Sequence, residues 1–215
     1  LLTVTGVQTC ALPISTQILV AHKSVPVNTL TELVAYSKNN PGKLNYASFG
    51  AGNDNHLTFE WIKKVSGADF THIPYKGAAP AQMAFSSGEV QLMFLILGNP
   101  NLVSQINAGQ TRGLAVTGTA RNPLVPQVPT LTEAGYPFRI QNWFGLFAPA
   151  GTPEDVLQRI NAEINKLLAS KSIAENFSSQ SLEAVRMDRA ATEAYVSAEA
   201  RKWGAVVKET GARVD

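Results

Sequence analysis

The chain carries one local pattern twice, in LNYASFGAGNDNHLTFEW (residues 44–61) and in FTHIPYKGAAPAQM (residues 70–83). Each copy reads as a strand, a glycine-containing loop and the start of a helix. Glycine lets a ligand approach the backbone closely, and a helix N-terminus offers unpaired N–H groups with a partial positive charge. Two such helix starts predict a site for a small anion, most simply a carboxylate.

Strands and helices alternate on both sides of these two loops. Thr29 and Glu32 have the spacing of a capping box at the start of a helix, and Thr130 and Glu133 repeat that spacing later in the chain. Further helical patterns end at glycines, as at Gly67. Strands that alternate with helices through short connections predict a largely parallel sheet covered by helices.

The pattern changes near residue 143. Beyond it the sequence predicts one strand and two or three helices, which have no sheet of their own to cover. We expect Thr152 to cap the first of these helices with Pro153 at its first position, and Asp188 to cap the last. These helices need a partner surface, which the preceding unit, a missing segment or another chain would provide.

The first fifteen residues, LLTVTGVQTCALPIS, lack the basic region and the small-residue cleavage site of a signal peptide. We expect residues 1–15 to be a non-native or disordered leader and exclude them from the fold. A frayed native leader is the alternative. Cys10 is the only cysteine, which excludes an intrachain disulfide and a cysteine-based metal cluster.

Composition limits the possible partners. The 215 residues have a formal net charge of +2, and the 18 Lys and Arg residues are scattered, so the charge pattern does not favour nucleic acid or a membrane surface. The sequence contains no run of apolar residues long enough to cross a bilayer, so we expect no direct membrane insertion.

Several stretches resemble the periplasmic solute-binding proteins of tripartite tricarboxylate transporters, the Bug family. They are PGKLNYASFGAGNDNHL, HIPYKGAAPA, AGQTRGLAVTGTARNPLVPQVPTLTEAGYP and WFGLFAPAGTP. The resemblance covers residues 18–215. It implies a type II periplasmic-binding fold of the α/β class, with two lobes that close on a small carboxylate and present it to a membrane permease. It also implies no catalysis, no cofactor and a periplasmic location, with the signal peptide absent from this sequence.

The resemblance further implies how the chain is divided. Residues 16–142 would form lobe 2, a nearly complete α/β lobe that binds the ligand. Residues 143–215 would supply the crossover strand and the C-terminal helices of lobe 1, which is truncated here because the upstream part of that lobe has no counterpart in this sequence.

The resemblance places the ligand at the loop of residues 48–56 and the turn of residues 75–78, in a cleft between the lobes. The candidate ligand-binding residues are Ser48, Gly50, Gly52, Asn53, His56, Tyr75, Lys76, Gly77, Ala78 and Trp143. Side chains of Ser48 and Asn53 and backbone N–H groups of the glycines and Ala78 would donate hydrogen bonds. The alternative is that the glycines are ordinary loop and cap residues, that His56 is structural, that Lys76 is solvated and that Trp143 is a buried hinge residue.

Asp54 conflicts with an anion site. A carboxylate about 6 Å from a bound anion costs about 3 kcal/mol at an effective dielectric constant of about 20. We therefore expect Asp54 to cap its helix and to point away from the ligand.

Two other classes of protein are the alternatives. A hydrolase-like enzyme needs a nucleophile, but no serine stands in a GxSxG frame, and Walker and dinucleotide glycine patterns are absent. His56 has no second ligand at metal-binding spacing, so we expect no metal site. The effector domain of a transcription regulator shares this fold, but residues 1–30 lack a basic DNA-binding helix pair.

Overall fold

The computed structural model describes residues 8–10, 12–138 and 140–212. The strands are β1 (Gln8–Cys10), β2 (Leu12–Ser15), β3 (Gln17–His22), β4 (Asn45–Ser48), β5 (Thr71–Pro74), β6 (Leu92–Ile96), β7 (Thr111–Val116), β8 (Asn142–Trp143), β9 (Leu146–Ala148) and β10 (Leu182–Val185). The helices are α1 (Leu30–Asn39), α2 (Asp54–Ser66), α3 (Ala78–Ser87), α4 (Pro100–Asn107), α5 (Glu154–Leu168), α6 (Lys171–Ser179) and α7 (Arg189–Thr210).

The chain divides into two units. The larger unit comprises Thr16–Gln141 and the chain from Val206, and the smaller unit comprises β1, β2 and Asn142–Ala205. The division after residue 141 lies next to the boundary at residue 142 that we expected from the sequence. Nothing in the described part of the chain is both long and apolar enough to be a membrane-spanning helix.

The larger unit contains a five-stranded sheet in the order β5-β4-β6-β3-β7. Strand β4 is parallel to both β5 and β6, as the alternation of strands and helices predicted. Strand β3 is antiparallel to both of its neighbours, β6 and β7. The sequence did not show this reversal, because an apolar run such as QILVAH has the same pattern in either direction.

Aromatic side chains hold α2 on the sheet. Phe59 of α2 is fully buried and stacks on Tyr46 of β4 with ring centroids 4.2 Å apart. Phe94 and Phe70 meet the Phe59 ring edge-on, with ring centroids 5.0 and 6.0 Å away. Burial of each such side chain contributes about 1.5–3 kcal/mol, so this cluster fixes where the N-terminus of α2 lies.

Both predicted capping boxes and the predicted glycine at the end of α2 are confirmed, although the Thr130 box opens a turn and not a helix. Thr29 accepts a hydrogen bond from the N–H of Glu32 at 3.1 Å, and Thr130 accepts one from the N–H of Glu133 at 3.0 Å. Gly67 follows α2 with φ +67° and ψ +22°, the left-handed conformation in which glycine carries no steric cost.

The smaller unit differs from the prediction of a single strand. Strand β2 lies between β10 and β8 in an antiparallel sheet, and β1 pairs with β9. We excluded residues 1–15 from the fold, but in the structure residues 8–10 and 12–15 pair as strands. That pairing disagrees with a disordered leader there, while the origin of the segment stays a prediction and residues 1–7 lie outside the described part.

The two predicted helix caps of the smaller unit differ in outcome. Asp188 accepts a hydrogen bond from the N–H of Ala191 at 2.7 Å, so its predicted cap on α7 is confirmed. The predicted Thr152 cap is wrong. Pro153 is the N-cap residue of α5, and the Thr152 hydroxyl donates to the carbonyl of Pro149 at 2.8 Å instead.

Candidate anion site

The two glycine turns lie side by side at one edge of the five-stranded sheet. Because β4 and β5 are parallel neighbours, their carboxyl ends meet at the same edge, and so do the N-termini of α2 and α3 that follow. The N–H of Tyr75 donates to the carbonyl of Ser48 at 3.0 Å and ties the two strand ends together. A Cβ added to Gly50 would lie 3.9 Å from the carbonyl oxygen of Tyr75.

The turn after β4 is held by hydrogen bonds within the protein. Ser48 is fully buried, and its hydroxyl donates to the carbonyl of Gly50 at 3.0 Å and accepts from the N–H of Gly50 at 3.3 Å. The N–H of Gly52 donates to Nδ1 of His56 at 2.9 Å. We expected these groups of Ser48, Gly50 and Gly52 to face a ligand, but the structure gives each of them an internal partner.

The start of α2 is capped by its own sequence. The side-chain oxygen of Asn53 accepts from the N–H of His56 at 2.9 Å, so Asn53 is the N-cap residue of α2. This bond uses the amide oxygen and not the NH₂ donor that we expected to face a ligand. The prediction that Asp54 is the cap is therefore wrong. Asp54 is the first residue of α2, and its carboxylate accepts from the Gln17 amide at 3.1 Å. Burial raises the pKa of Asp54 above its ordinary value.

The turn after β5 leads into a helix without such a cap. Gly77 is the N-cap residue of α3, with φ +105° and ψ −178°, and no side chain caps this helix. The first turn of α3 contains no acidic residue. Ala78 and Lys76 are exposed, and Tyr75 donates its hydroxyl to Glu89 at 2.8 Å. Burial and this hydrogen bond raise the pKa of Tyr75 to about 12.

A pair of histidines supports both turns. The rings of His56 and His72 stack with centroids 4.0 Å apart and planes inclined by 7°. Burial is the main cause that lowers the pKa of each ring. The pKa of His72 falls to about 4, and the neighbouring His56 is the second cause of that shift. Both rings are therefore neutral near pH 7. We did not predict a role for His72. The sequence carries no local signal for this role, because His72 comes to lie opposite Tyr46 only through the pairing of β5 with β4.

Ser48 and His72 also have the spacing of a nucleophile and its base, with Oγ and Nε2 2.6 Å apart. Three features oppose catalysis. Ser48 has no exposed surface, its hydroxyl is hydrogen-bonded to the backbone of Gly50, and an imidazole with a pKa of about 4 is a weak base at neutral pH. This pair is a structural contact within the turn.

Nine of the ten candidate residues lie in the larger unit, in the two turns just described. The tenth, Trp143, belongs to β8 of the smaller unit, where its ring meets Tyr195 edge-on at 6.0 Å. In the described residues, no group of three or more His, Cys, Asp or Glu side chains is arranged to hold a metal ion.

The two turns together offer backbone N–H groups, the positive end of α3 and the nearby charge of Lys76, a combination suited to an anion.

The sequence matches the family described as "Tripartite tricarboxylate transporter family receptor" over residues 3–212. The chain belongs to this family. Because the family is one of transport receptors, the expected absence of catalysis is confirmed at that level, and so is the expected periplasmic-binding fold.

Individual relatives agree with this assignment. The chain is 33% identical over 198 residues to Protein BugT of Bordetella pertussis, which covers 92% of this chain and 60% of BugT. It is similar to the structure of the periplasmic binding protein BugD, with a TM-score of 0.84, 29% identity and coverage of 96% of this chain and 70% of that one. It is also similar to R. palustris Rpa4515 with adipate, with a TM-score of 0.86, 30% identity and coverage of 97% and 70%. The chain thus spans about three fifths of the length of BugT.

Proposed function

We propose that this chain is a periplasmic solute-binding protein that captures a small carboxylate and presents it to the membrane permease of a tripartite tricarboxylate-type transporter. The larger unit is its ligand-binding lobe. The observation that carries the proposal is the pair of adjacent glycine turns, of which the second opens a helix with neither a side-chain cap nor an acidic residue in its first turn.

The proposal assigns the carboxylate to the N-terminus of α3. The turn after β4 already uses the N–H groups of Gly50 and Gly52 within the protein, and Asn53 caps α2. At α3, the exposed residue Ala78 has an N–H without a partner within its helix, and the positive end of the helix dipole and the nearby charge of Lys76 add to it. Hydrogen bonds to a charged group contribute about 1.5–3 kcal/mol each.

The family and one neighbour support the same ligand class. Family members are receptors of transporters for tricarboxylates, and the R. palustris relative carries adipate, a dicarboxylate. The name of BugD as a periplasmic binding protein supports the location. The permease partnership follows from the family and is part of the proposal.

A two-dimensional amide NMR titration tests the proposal on this chain. Acetate, succinate and citrate are added at millimolar concentrations, and the amide signals of Gly77, Ala78 and Ala79 are followed. We expect saturable shifts that are largest at these residues. If none of the acids moves these signals, or if they move only residues of the smaller unit, the assignment fails.

A matched pair of variants isolates the N–H of Ala78. Proline suits the first position of a helix but has no N–H, so Ala78→Pro removes the donor and keeps α3. Ala78→Ser keeps the N–H at the same exposed position. We expect Ala78→Pro to weaken carboxylate binding at least about tenfold, the equivalent of about 1.5 kcal/mol, while Ala78→Ser binds as the parent chain does. Equal affinities for the two variants would contradict this assignment.

A further inference from the structure

A cavity of about 360 Å³ lies beside the turn after β5, between α3, the end of β6 and α4. Ala78 at the start of α3 and Phe49 next to Gly50 both contribute to its wall, so the cavity adjoins the candidate anion site. Phe85, Leu95, Ile96 and Leu102 are further apolar residues of its wall. A ligand held at the N-terminus of α3 therefore has within reach a cavity whose wall includes several apolar side chains.

The polar groups of this cavity carry no charge. They include the side chains of Gln82, Asn99, Asn101 and Gln105, and no Asp, Glu, Lys, Arg or His contributes to the described wall. A charged ligand group that entered the cavity would lose its hydration and meet no opposite charge in the wall, and this desolvation costs free energy. The wall therefore favours a neutral ligand group.

The second helix at this cavity does not offer an anion site. Asn99 caps α4, and its side-chain oxygen accepts from the N–H of Asn101 at 3.0 Å. A second carboxylate in the cavity would have to displace this cap. The cavity thus differs from the N-terminus of α3, where no side chain competes with a ligand.

Resting on the proposed function, we infer that the acid bound at α3 extends an uncharged, apolar body into this cavity. The ligand class is a carboxylate whose far end is an aliphatic chain or a single ring, with neither an ammonium nor a second carboxylate there. The size is adequate, since a cavity of about 150 Å³ already holds benzene.

Four linear acids test the inference by the same NMR titration: acetate, hexanoate, 6-aminohexanoate and adipate. Each buried methylene strengthens binding about fourfold, so partial burial of the hexanoate chain should make hexanoate at least about tenfold tighter than acetate. We expect hexanoate also to exceed 6-aminohexanoate and adipate about tenfold, because each of these places a charge in the cavity. Chemical shifts at Leu95 and Gln82 should accompany hexanoate and not acetate.

Variants of the cavity wall make the test specific. Leu95→Asp should reverse the preference, so that 6-aminohexanoate binds more tightly than hexanoate. Gln82 is exposed, so Gln82→Glu places a carboxylate at the same cavity without disturbing the core and should shift the preference in the same direction even if Leu95→Asp fails to fold. Met83→Gln is the control, because Met83 is 74% exposed on α3 and does not line the cavity.

The outcomes separate the two proposals. If acetate moves the amide signals of Gly77 and Ala78 but hexanoate binds no more tightly, the cavity inference is overturned and the carboxylate site stands. If adipate or 6-aminohexanoate binds more tightly than hexanoate, the inference is likewise overturned. If no acid moves these signals, both proposals fail.

Discussion

Lowering the pH should destabilise the larger unit through His72. The folded protein lowers the pKa of this ring from 6.5 to about 4, mainly by burial and next by the neighbouring His56. Glu60 raises this pKa and Lys63 lowers it, both more weakly. The unfolded chain therefore binds more protons than the folded chain between about pH 6.5 and pH 4, and stability falls as the pH falls through this window.

The size of the effect follows from the same pKa difference. Each pKa unit corresponds to about 1.4 kcal/mol, so the full difference gives an upper value of about 3.4 kcal/mol. Because His72 is partly exposed, water screens the added charge, and we expect about 1–2 kcal/mol. In a unit of this size, that corresponds to about 3–7 °C in the midpoint of thermal unfolding.

The assay is thermal and urea unfolding followed by circular dichroism from pH 7.5 to pH 4.5, on the parent chain and on His72→Gln. Glutamine stays neutral, so the variant should lose the part of the pH dependence that His72 supplies, although it also loses the stacking on His56 and Tyr46. Comparison with the variant is needed because the raised pKa of Asp54 acts in the opposite direction and adds stability as the pH falls.

His22→Gln is the matched control. The pKa of His22 is also lowered by burial. His22 ends β3, and among the described residues its ring forms a hydrogen bond with Ser24 and no ring contact with the stacked pair of His56 and His72. We expect His72→Gln to flatten the pH profile more than His22→Gln does. Parallel profiles for the parent chain and His72→Gln between pH 7 and pH 4.5 would refute the reasoning.

Three further changes have expected outcomes that unfolding in urea measures. Asn53→Ala should cost about 1 kcal/mol through the lost cap of α2, and an unchanged midpoint would contradict that cap. Gly77→Ala should cost about 2–3 kcal/mol because only glycine readily adopts its backbone conformation, and Gly67→Ala is the control at about 1 kcal/mol in the ordinary left-handed region; equal costs would argue against the Gly77 conformation. Phe59→Ala should cost about 3–5 kcal/mol, and a cost below about 1 kcal/mol would contradict its place in the core.

The sequence predicted the local structure of the larger unit well, because its signals are local. A capping box such as Thr29 with Glu32 involves atoms four residues apart or fewer, and a glycine such as Gly67 ends a helix through its own backbone conformation. The repeated strand–glycine–helix pattern also predicted that the two turns share an edge, since parallel neighbours place their carboxyl ends together. Our predictions of the fold class and of the location of the site both rested on these local features.

Long-range partners could not be predicted in the same way. Gln17 reaches Asp54 across 37 positions, and His72 reaches Ser48 across 24, so neither contact leaves a pattern in a short window of sequence. The direction of β3 is undetermined for a similar reason, because it depends on which neighbours it pairs with. Groups that looked available to a ligand in the sequence, such as the Ser48 hydroxyl, are consumed by these distant contacts.

The position of Asp54 explains how two similar helix starts at one edge differ in charge. At the N-terminus of α2, the Asn53 cap and the Asp54 carboxylate both compensate the positive end of the helix dipole. A second carboxylate about 6 Å from Asp54 would cost about 3 kcal/mol at an effective dielectric constant of about 20, which disfavours an anion there. At α3 neither compensation exists, because Gly77 has no side chain and the first turn has no acid. The same loop pattern thus gives one helix end that disfavours an anion and one that favours it, and this contrast supports the proposed position of the carboxylate at Ala78.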